Sequence, residues 1–370
     1  HSSNKELPLI ISQLKIYSAK DWKGKDFAKP VLKAPLGSGP YILESFEPNK
    51  YLVFKRNPDY WAKDLPSRRG FYNFDEIRYD YYQDTTVTLQ ALFAGNIDMR
   101  EEYIAKIWVT GYDNDLVRSG KIIKENIAHN NTARLQNFGF NLRREKFSDR
   151  RVREAIDWAF NYEWAGENLF YNQYSRLYSY FSNSGMEATG LPQGKELEIL
   201  NRFREYLPSE IFTEVPANPV YKDIKVSREN LRHAVKLLNE AGYDFVNGKM
   251  TNLKTGEALE FEILGNAANG NSFTRVLLPF IGNLAKIGIK AEFRNLEVNV
   301  FKNRLDNFDY DMAILSFPIS QMPGNEQKEF WGSAGVIWAK RPEHGSAVPR
   351  NSCDGQSSQY EIFMERSYEL

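Results

Sequence analysis

At 370 residues the chain is longer than one compact core usually covers, so its length favours two domains or one large α/β lobe with extensions. Its 48 basic and 48 acidic residues cancel and the isoelectric point lies near 7.1, which leaves no overall positive field to draw it onto nucleic acid. A composition of 42% hydrophobic and 26% charged residues is that of a folded protein, and no run approaches the roughly 18 apolar residues a membrane helix needs.

The first residues, His1-Ser2-Ser3-Asn4, carry no signal-peptide pattern, so either the protein is cytoplasmic or the chain starts after its targeting segment. Residues 36–56 predict a hairpin, with Tyr41–Phe46 and Tyr51–Arg56 joined by Glu47-Pro48-Asn49-Lys50. Alternation predicts a strand over 74–82. A helix follows, capped by Thr85 or Thr86, with Leu89, Leu92 and Phe93 on its apolar stripe and Gly95 as its stop. Residues 133–142 alternate as a strand and lead into a helix that Ser148 is expected to cap, with Val152, Ala155, Ile156 and Ala159 at helical spacing. The arginines of that helix, with the preceding Arg143, Arg144 and Lys146, are either an anion site or the solvated face of an amphipathic helix.

Residues 171–226 form a long excursion with a short helix near Lys195–Tyr206, where Tyr171, Tyr174, Tyr178, Tyr180 and Phe181 crowd together. Aromatic residues make up 14% of the chain, which suits a ligand-covering surface as well as a β-rich core. From 227 the pattern is regular. A helix capped by Ser227 is followed by a strand at 259–263, a helix from Ser272 interrupted by Pro279, a strand at 289–293, a helix at 298–305 and a strand at 310–317. This β-α-β-α-β order predicts a parallel sheet. Ligands of such sheets lie beyond the carboxyl ends of the strands, which nominates the loop after Phe317.

The catalytic signatures fail one by one. Gly37-Ser38-Gly39 is followed neither by Gly-Lys-Ser/Thr nor by a third glycine, and the four histidines are scattered. Cys353 is the single cysteine, so there is no intrachain disulfide, and the paired carboxylates at 101–102 and 113–115 have no apolar wall or calcium-loop glycine. No metal or cofactor is expected, and the absence of a catalytic constellation favours a binder over an enzyme.

The order of segments resembles the peptide-type, family 5 extracellular solute-binding proteins of ABC transporters over about residues 5–336. The stretches that carry it are Gly37–Tyr41, Arg56–Trp61, Ala94–Asp98 and Asn141–Ala155. Tyr180–Ser184, Gly190-Leu191-Pro192 and Pro323–Ser333 are similar to the Yej-type branch, associated with oligopeptide and microcin C uptake. The resemblance implies an α/β, two-lobed periplasmic-binding-protein-like fold of the large peptide-binding class, with lobe one incomplete. It implies residues 1–130 as partial lobe one, 131–336 as lobe two and 337–370 as an atypical tail, in a chain that looks truncated at both ends. It further implies an oligopeptide ligand, an ABC permease at the inner membrane as partner, a periplasmic monomer and no nucleic acid. Where relatives place an aspartate for the ligand ammonium, this chain has Phe317-Pro318-Ile319-Ser320. Glu326 is the substitute candidate and Arg304 the candidate for a ligand carboxylate, each with a surface or loop-stabilising alternative. Phe317, Ser320, Asn325, Phe330, Trp331 and Tyr180 complete the expected ligand set. A hydrolase of peptides or glycans and an inactive truncated product are the competing readings.

Overall fold

In the computed structural model the described residues are 7–26, 29, 33, 34, 36–82, 84–177, 179–215, 220, 228–267, 272–318, 320, 321, 323, 324 and 327. The chain divides into two units, His1–Glu101 and Glu102–Leu370. The first begins with two short helices, α1 (Leu7–Ser12) and α2 (Ala19–Trp22), and continues into an antiparallel sheet of β1 (Tyr41–Glu47), β2 (Tyr51–Arg56) and β3 (Glu76–Asp80) in that order. The predicted turn joins β1 to β2, and Asn49 supplies its left-handed residue with φ 62°. Helix α3 (Thr85–Phe93) is capped not by a threonine but by Asp84, whose carboxylate accepts from the N–H groups of Thr86 at 2.7 Å and Val87 at 3.2 Å. A carboxylate there meets two free donors and the positive end of the helix together, which a hydroxyl one residue later does not.

The second unit contains α4 (Asp115–Arg118), β4 (Leu135–Phe140), α5 (Arg150–Trp158), α6 (Tyr162–Asn168), α7 (Gly194–Asn201), α8 (Glu210–Thr213) and α9 (Arg228–Glu240). It continues through β5 (Tyr243–Val246), β6 (Lys249–Asn252), β7 (Glu260–Asn266), α10 (Ser272–Lys286), β8 (Lys290–Leu296), α11 (Val298–Asp306) and β9 (Met312–Phe317). Strands β7, β8 and β9 are parallel, as the β-α-β-α-β order requires, with β7 in the centre. Strand β4 adds to β9 antiparallel and gives the order β4-β9-β7-β8. The β5–β6 hairpin turns on Asn247 and Gly248 at φ 51° and 81°, the left-handed pair of a type I′ turn. The Asn247-Gly248 dipeptide is in itself a hairpin signal at the level of sequence.

The core of this unit lies where the sheet meets α5, α9 and α10. Val152, Ala155 and Ile156 of α5 are buried against Leu231, Ala234 and Leu238 of α9, and Leu277, Phe280 and Leu284 of α10 join the same cluster. Burying each large aliphatic side chain stabilises the fold by about 1.5–3 kcal/mol, so the helical stripe read from the sequence is what holds α5 in place. Its cap is Asp149 rather than Ser148. The Asp149 carboxylate accepts from the Arg151 N–H at 2.9 Å, while the Ser148 hydroxyl donates back to the Glu145 carbonyl at 2.8 Å. Ser227, the expected cap of α9, lies outside the described residues.

Candidate ligand-binding site

The turn between β4 and α5 carries the most recognisable motif, and its polar residues hold the fold together. Asn141 is buried and its amide donates to the carbonyls of Phe308 at 2.9 Å and Tyr310 at 2.8 Å. Lys146 reaches the Glu260 carbonyl at 2.7 Å and the Asp311 carboxylate at 3.1 Å, while Arg144 pairs with Asp309 at 3.3 Å. Asp311 also accepts from the Glu262 N–H at 3.1 Å. Arg144 and Lys146, although partly solvated, are therefore paired within the chain and do not form an open anion site. They tie the β4–α5 turn to the entrance of β9, a partnership across more than a hundred residues that local patterning does not reveal.

Arg304 belongs to the same end of the sheet. Its guanidinium pairs with Glu262 of β7, and its Nε donates to the Asp309 carbonyl at 2.9 Å and carboxylate at 3.1 Å. The Glu262 hydrogen bond is the main reason the arginine is held above its ordinary pKa. Phe317 and Ser320 stand at the opposite, carboxyl end of β9, six strand residues or about 20 Å along. Sequence-predicted candidates thus divide between two ends of one sheet.

At the carboxyl end Phe317 packs with Leu135, Leu177 and Tyr180 in a small buried cluster, against which Phe181 and Leu315 lie. Tyr180 and Phe317 are brought together, with 4% and 7% of their surfaces exposed, so they are the floor of this end and not its open face. Ser320 is exposed beside them. The Gln321 amide donates to the Asn130 carbonyl at 2.5 Å and the Asn183 amide to the Asn131 carbonyl at 2.6 Å, which ties the loop after β9 and the 179–183 segment to the approach of β4. An open depression of about 410 Å³ runs over Asn131, Arg134, Pro318 and Gln321. Asn325, Glu326, Phe330, Trp331 and Tyr178 lie outside the described residues.

A second cavity of about 250 Å³ opens at the same end, on the side of α10. Because β4 runs antiparallel to β9, Gln136 pairs with Ser316 and so reaches this end from the start of its strand. Phe273, Arg275 and Val276 enter from the first turn of α10, which follows the carboxyl end of β7. Leu169, Phe170 and Tyr174 come from the segment after α6, and Tyr103–Lys106 close the rim. The Tyr174 hydroxyl binds these two segments together, donating to the Tyr103 carbonyl at 2.8 Å and accepting from the Ala105 N–H at 3.1 Å. Behind it, Tyr162 donates to the Tyr174 carbonyl at 3.2 Å, and the Arg176 guanidinium lies over the Tyr162 ring at 5.3 Å and pairs with the buried Asp157 at 3.5 Å. Tyr174 was among the crowded aromatics of the sequence. Gln136, Lys106 and Arg275 were missed, although the rule that nominated the loop after β9 applies equally to the first turn of the helix after β7.

Residues 2–335 match the bacterial extracellular solute-binding proteins, family 5 Middle. The chain belongs to this family. It is 38% identical over 341 residues to the probable peptide-binding protein YejA of Agrobacterium fabrum, an alignment covering 90% of this chain and 55% of that protein. The chain therefore spans about half the length of the curated relatives it matches. Among solved structures, the periplasmic oligopeptide-binding protein of an oligopeptide ABC transporter from Thermotoga maritima superposes with a TM-score of 0.59 at 18% identity, over 83% of this chain and 52% of that one. The oligopeptide-binding protein AppA of Bacillus subtilis, solved with a nonapeptide, superposes with a TM-score of 0.56 at 18% identity over 82% and 52%. These likenesses establish the two-lobed periplasmic-binding fold class. Among the described residues there is no metal-binding cluster of acidic, histidine or cysteine side chains and no helix long and apolar enough to cross a membrane.

Proposed function

We propose that the chain captures oligopeptides for an ABC importer, holds them at the carboxyl ends of β7, β8 and β9, and hands them unchanged to a permease of the inner membrane. The observation that carries this reading is the pairing of family membership with an aromatic-walled cavity at the end of the parallel sheet where α/β proteins bind ligands. A peptide suits such a site because every residue offers the same N–H and C=O groups, so main-chain hydrogen bonds give affinity while roomy, water-filled pockets accept different side chains. Ser320, Asn325, Glu326, Phe330 and Trp331 are the ligand-contacting candidates in this reading, and Tyr180 and Phe317 support Ser320 from the buried cluster at the end of β9. Arg304 would have to exchange Glu262 for a ligand carboxylate to take part. Residues 131–336 are read as the peptide-binding lobe, 1–130 as part of lobe one, and 337–370 as an atypical C-terminal tail. The protein works in the periplasm as a monomer.

Calorimetric titration with short peptides of mixed sequence, from dipeptides to nonapeptides, tests the reading. Saturable binding with little dependence on side-chain sequence is expected, together with recovery of every peptide intact. Absence of binding at all lengths by a cooperatively folded chain, or recovery of cleaved peptide, contradicts it.

A further inference from the structure

We propose that the cavity beside α10 is an anion subsite, which takes a carboxylate carried on an apolar stem and holds it with Arg275 and Lys106. Both residues line the cavity, and among the described residues neither the guanidinium of Arg275 nor the ammonium of Lys106 forms a hydrogen bond or an ion pair. Several other cations of this unit do carry a counter-charge: Arg144, Lys146, Arg151, Arg176 and Arg304 each pair with an acid. Among the described residues the lining contains no Asp or Glu. The acid adjacent in sequence, Glu102, accepts from the Ile104 N–H at 3.0 Å and the Tyr112 hydroxyl at 3.4 Å. Two positive groups without a counter-charge at the mouth of one cavity leave a field that an incoming anion neutralises.

The surroundings fit a carboxylate on a stem better than a free inorganic anion. Phe170, Phe273 and Val276 are buried and give an apolar wall, while Gln136 adds a neutral polar residue to the lining on the sheet side. Arg275 stands in the first turn of a 15-residue helix, so the positive end of α10 adds to its charge. The rim that carries Lys106 is fastened by the Tyr174 hydroxyl through the neighbouring Ala105 N–H, which keeps that side of the cavity in place before a ligand arrives. The inference builds on the peptide reading in naming the ligand, because a peptide presents this chemistry as its C-terminus or as an acidic side chain. The charge preference of the cavity is separately testable.

The probe is 4-phenylbutyrate against 4-phenylbutyramide, each titrated into the chain while the Gln136 side-chain amide and the Arg275 Nε–H are followed by NMR. The acid is expected to bind at least about tenfold more tightly than the amide, and Arg275→Gln and Lys106→Gln should each weaken the acid about tenfold and leave the amide unchanged, as loss of one charge-assisted hydrogen bond requires. Lys254→Gln, in the exposed turn between β6 and β7, should change neither. Both cations are exposed, so the variants keep the fold, which urea unfolding verifies. Equal affinity for acid and amide, no shift from either probe at millimolar concentration, or indifference of the acid to both substitutions overturns the subsite. Two N-acetylated tripeptides then identify the source of the carboxylate: one with a free C-terminus, the other amidated with a central Glu. If phenylbutyrate discriminates and neither tripeptide binds, the subsite stands and the peptide reading fails. Peptide binding that ignores Arg275 and Lys106 has the reverse meaning.

Discussion

At Gly288 the backbone sits at φ +76°, and a Cβ there would come 2.7 Å from the Met250 nitrogen and 2.8 Å from the Phe245 ring. The Met250 N–H donates to the Gly288 carbonyl at 2.9 Å, so the hairpin cannot retreat without losing that bond. Gly288→Ala should therefore cost about 2 kcal/mol or more in urea unfolding, from left-handed strain and the clash together. An unchanged midpoint would refute the close approach. Asp149 makes a prediction in pH. Its hydrogen bond from the Arg151 side chain, helped by the Arg151 N–H, holds its carboxyl below the ordinary aspartate range. A depressed folded-state pKa means the contribution is complete above the unfolded value near pH 4 and fades as the pH falls through the folded one. Asn caps helices as well as Asp does, so Asp149→Asn removes mainly the ion pair. It should lower stability at pH 7 by at most about 1 kcal/mol, with the difference from the parent shrinking toward pH 3. A gap that widens in acid would reverse the sign.

Tyr174 acts on an element, because one hydroxyl joins the 103–106 rim to the segment after α6. Tyr174→Phe keeps the ring and removes both hydrogen bonds, so amide exchange at Ala105 should accelerate about tenfold or more while global stability falls by no more than about 2 kcal/mol. Unchanged exchange at Ala105 would show that the rim is held by something else. Arg176 and Asp157 are deeper, with side chains only 8% and 3% exposed. Arg176→Ala strands a buried carboxylate and should cost about 3–5 kcal/mol, whereas a value under 1 kcal/mol would mean the pair is solvated. Elements with their own periodicity were legible in the sequence. Leu231, Ala234 and Leu238 announce α9 without help from any other residue, and the run from β7 to β9 reads as a parallel sheet from element order alone. Partnerships between distant segments were not legible. Nothing near Leu135 says that β4 will pair with 312–317, and nothing near Arg144, Lys146 or Arg304 says which acids they will meet. The site followed the same division: the sheet end was nominated by topology, while the cavity required β4, α10 and the 169–174 segment to be placed together first.

For the whole molecule, membership of an extracellular solute-binding family and the fold class set the working hypothesis of capture and release without chemistry. A balanced charge of 48 acidic and 48 basic residues leaves no overall field to steer a ligand, so binding of peptides blocked at both ends and free of charged side chains should depend little on ionic strength, while occupancy of the anion subsite weakens as salt rises. The most direct measurement is native mass spectrometry of the protein as purified, before and after unfolding and refolding. Capture of peptides predicts a ladder of adducts at peptide masses that vanishes on refolding, returns when a peptide mixture is added, and releases each peptide uncut. Only the bare chain at every stage, or peptides recovered as fragments, would contradict the account.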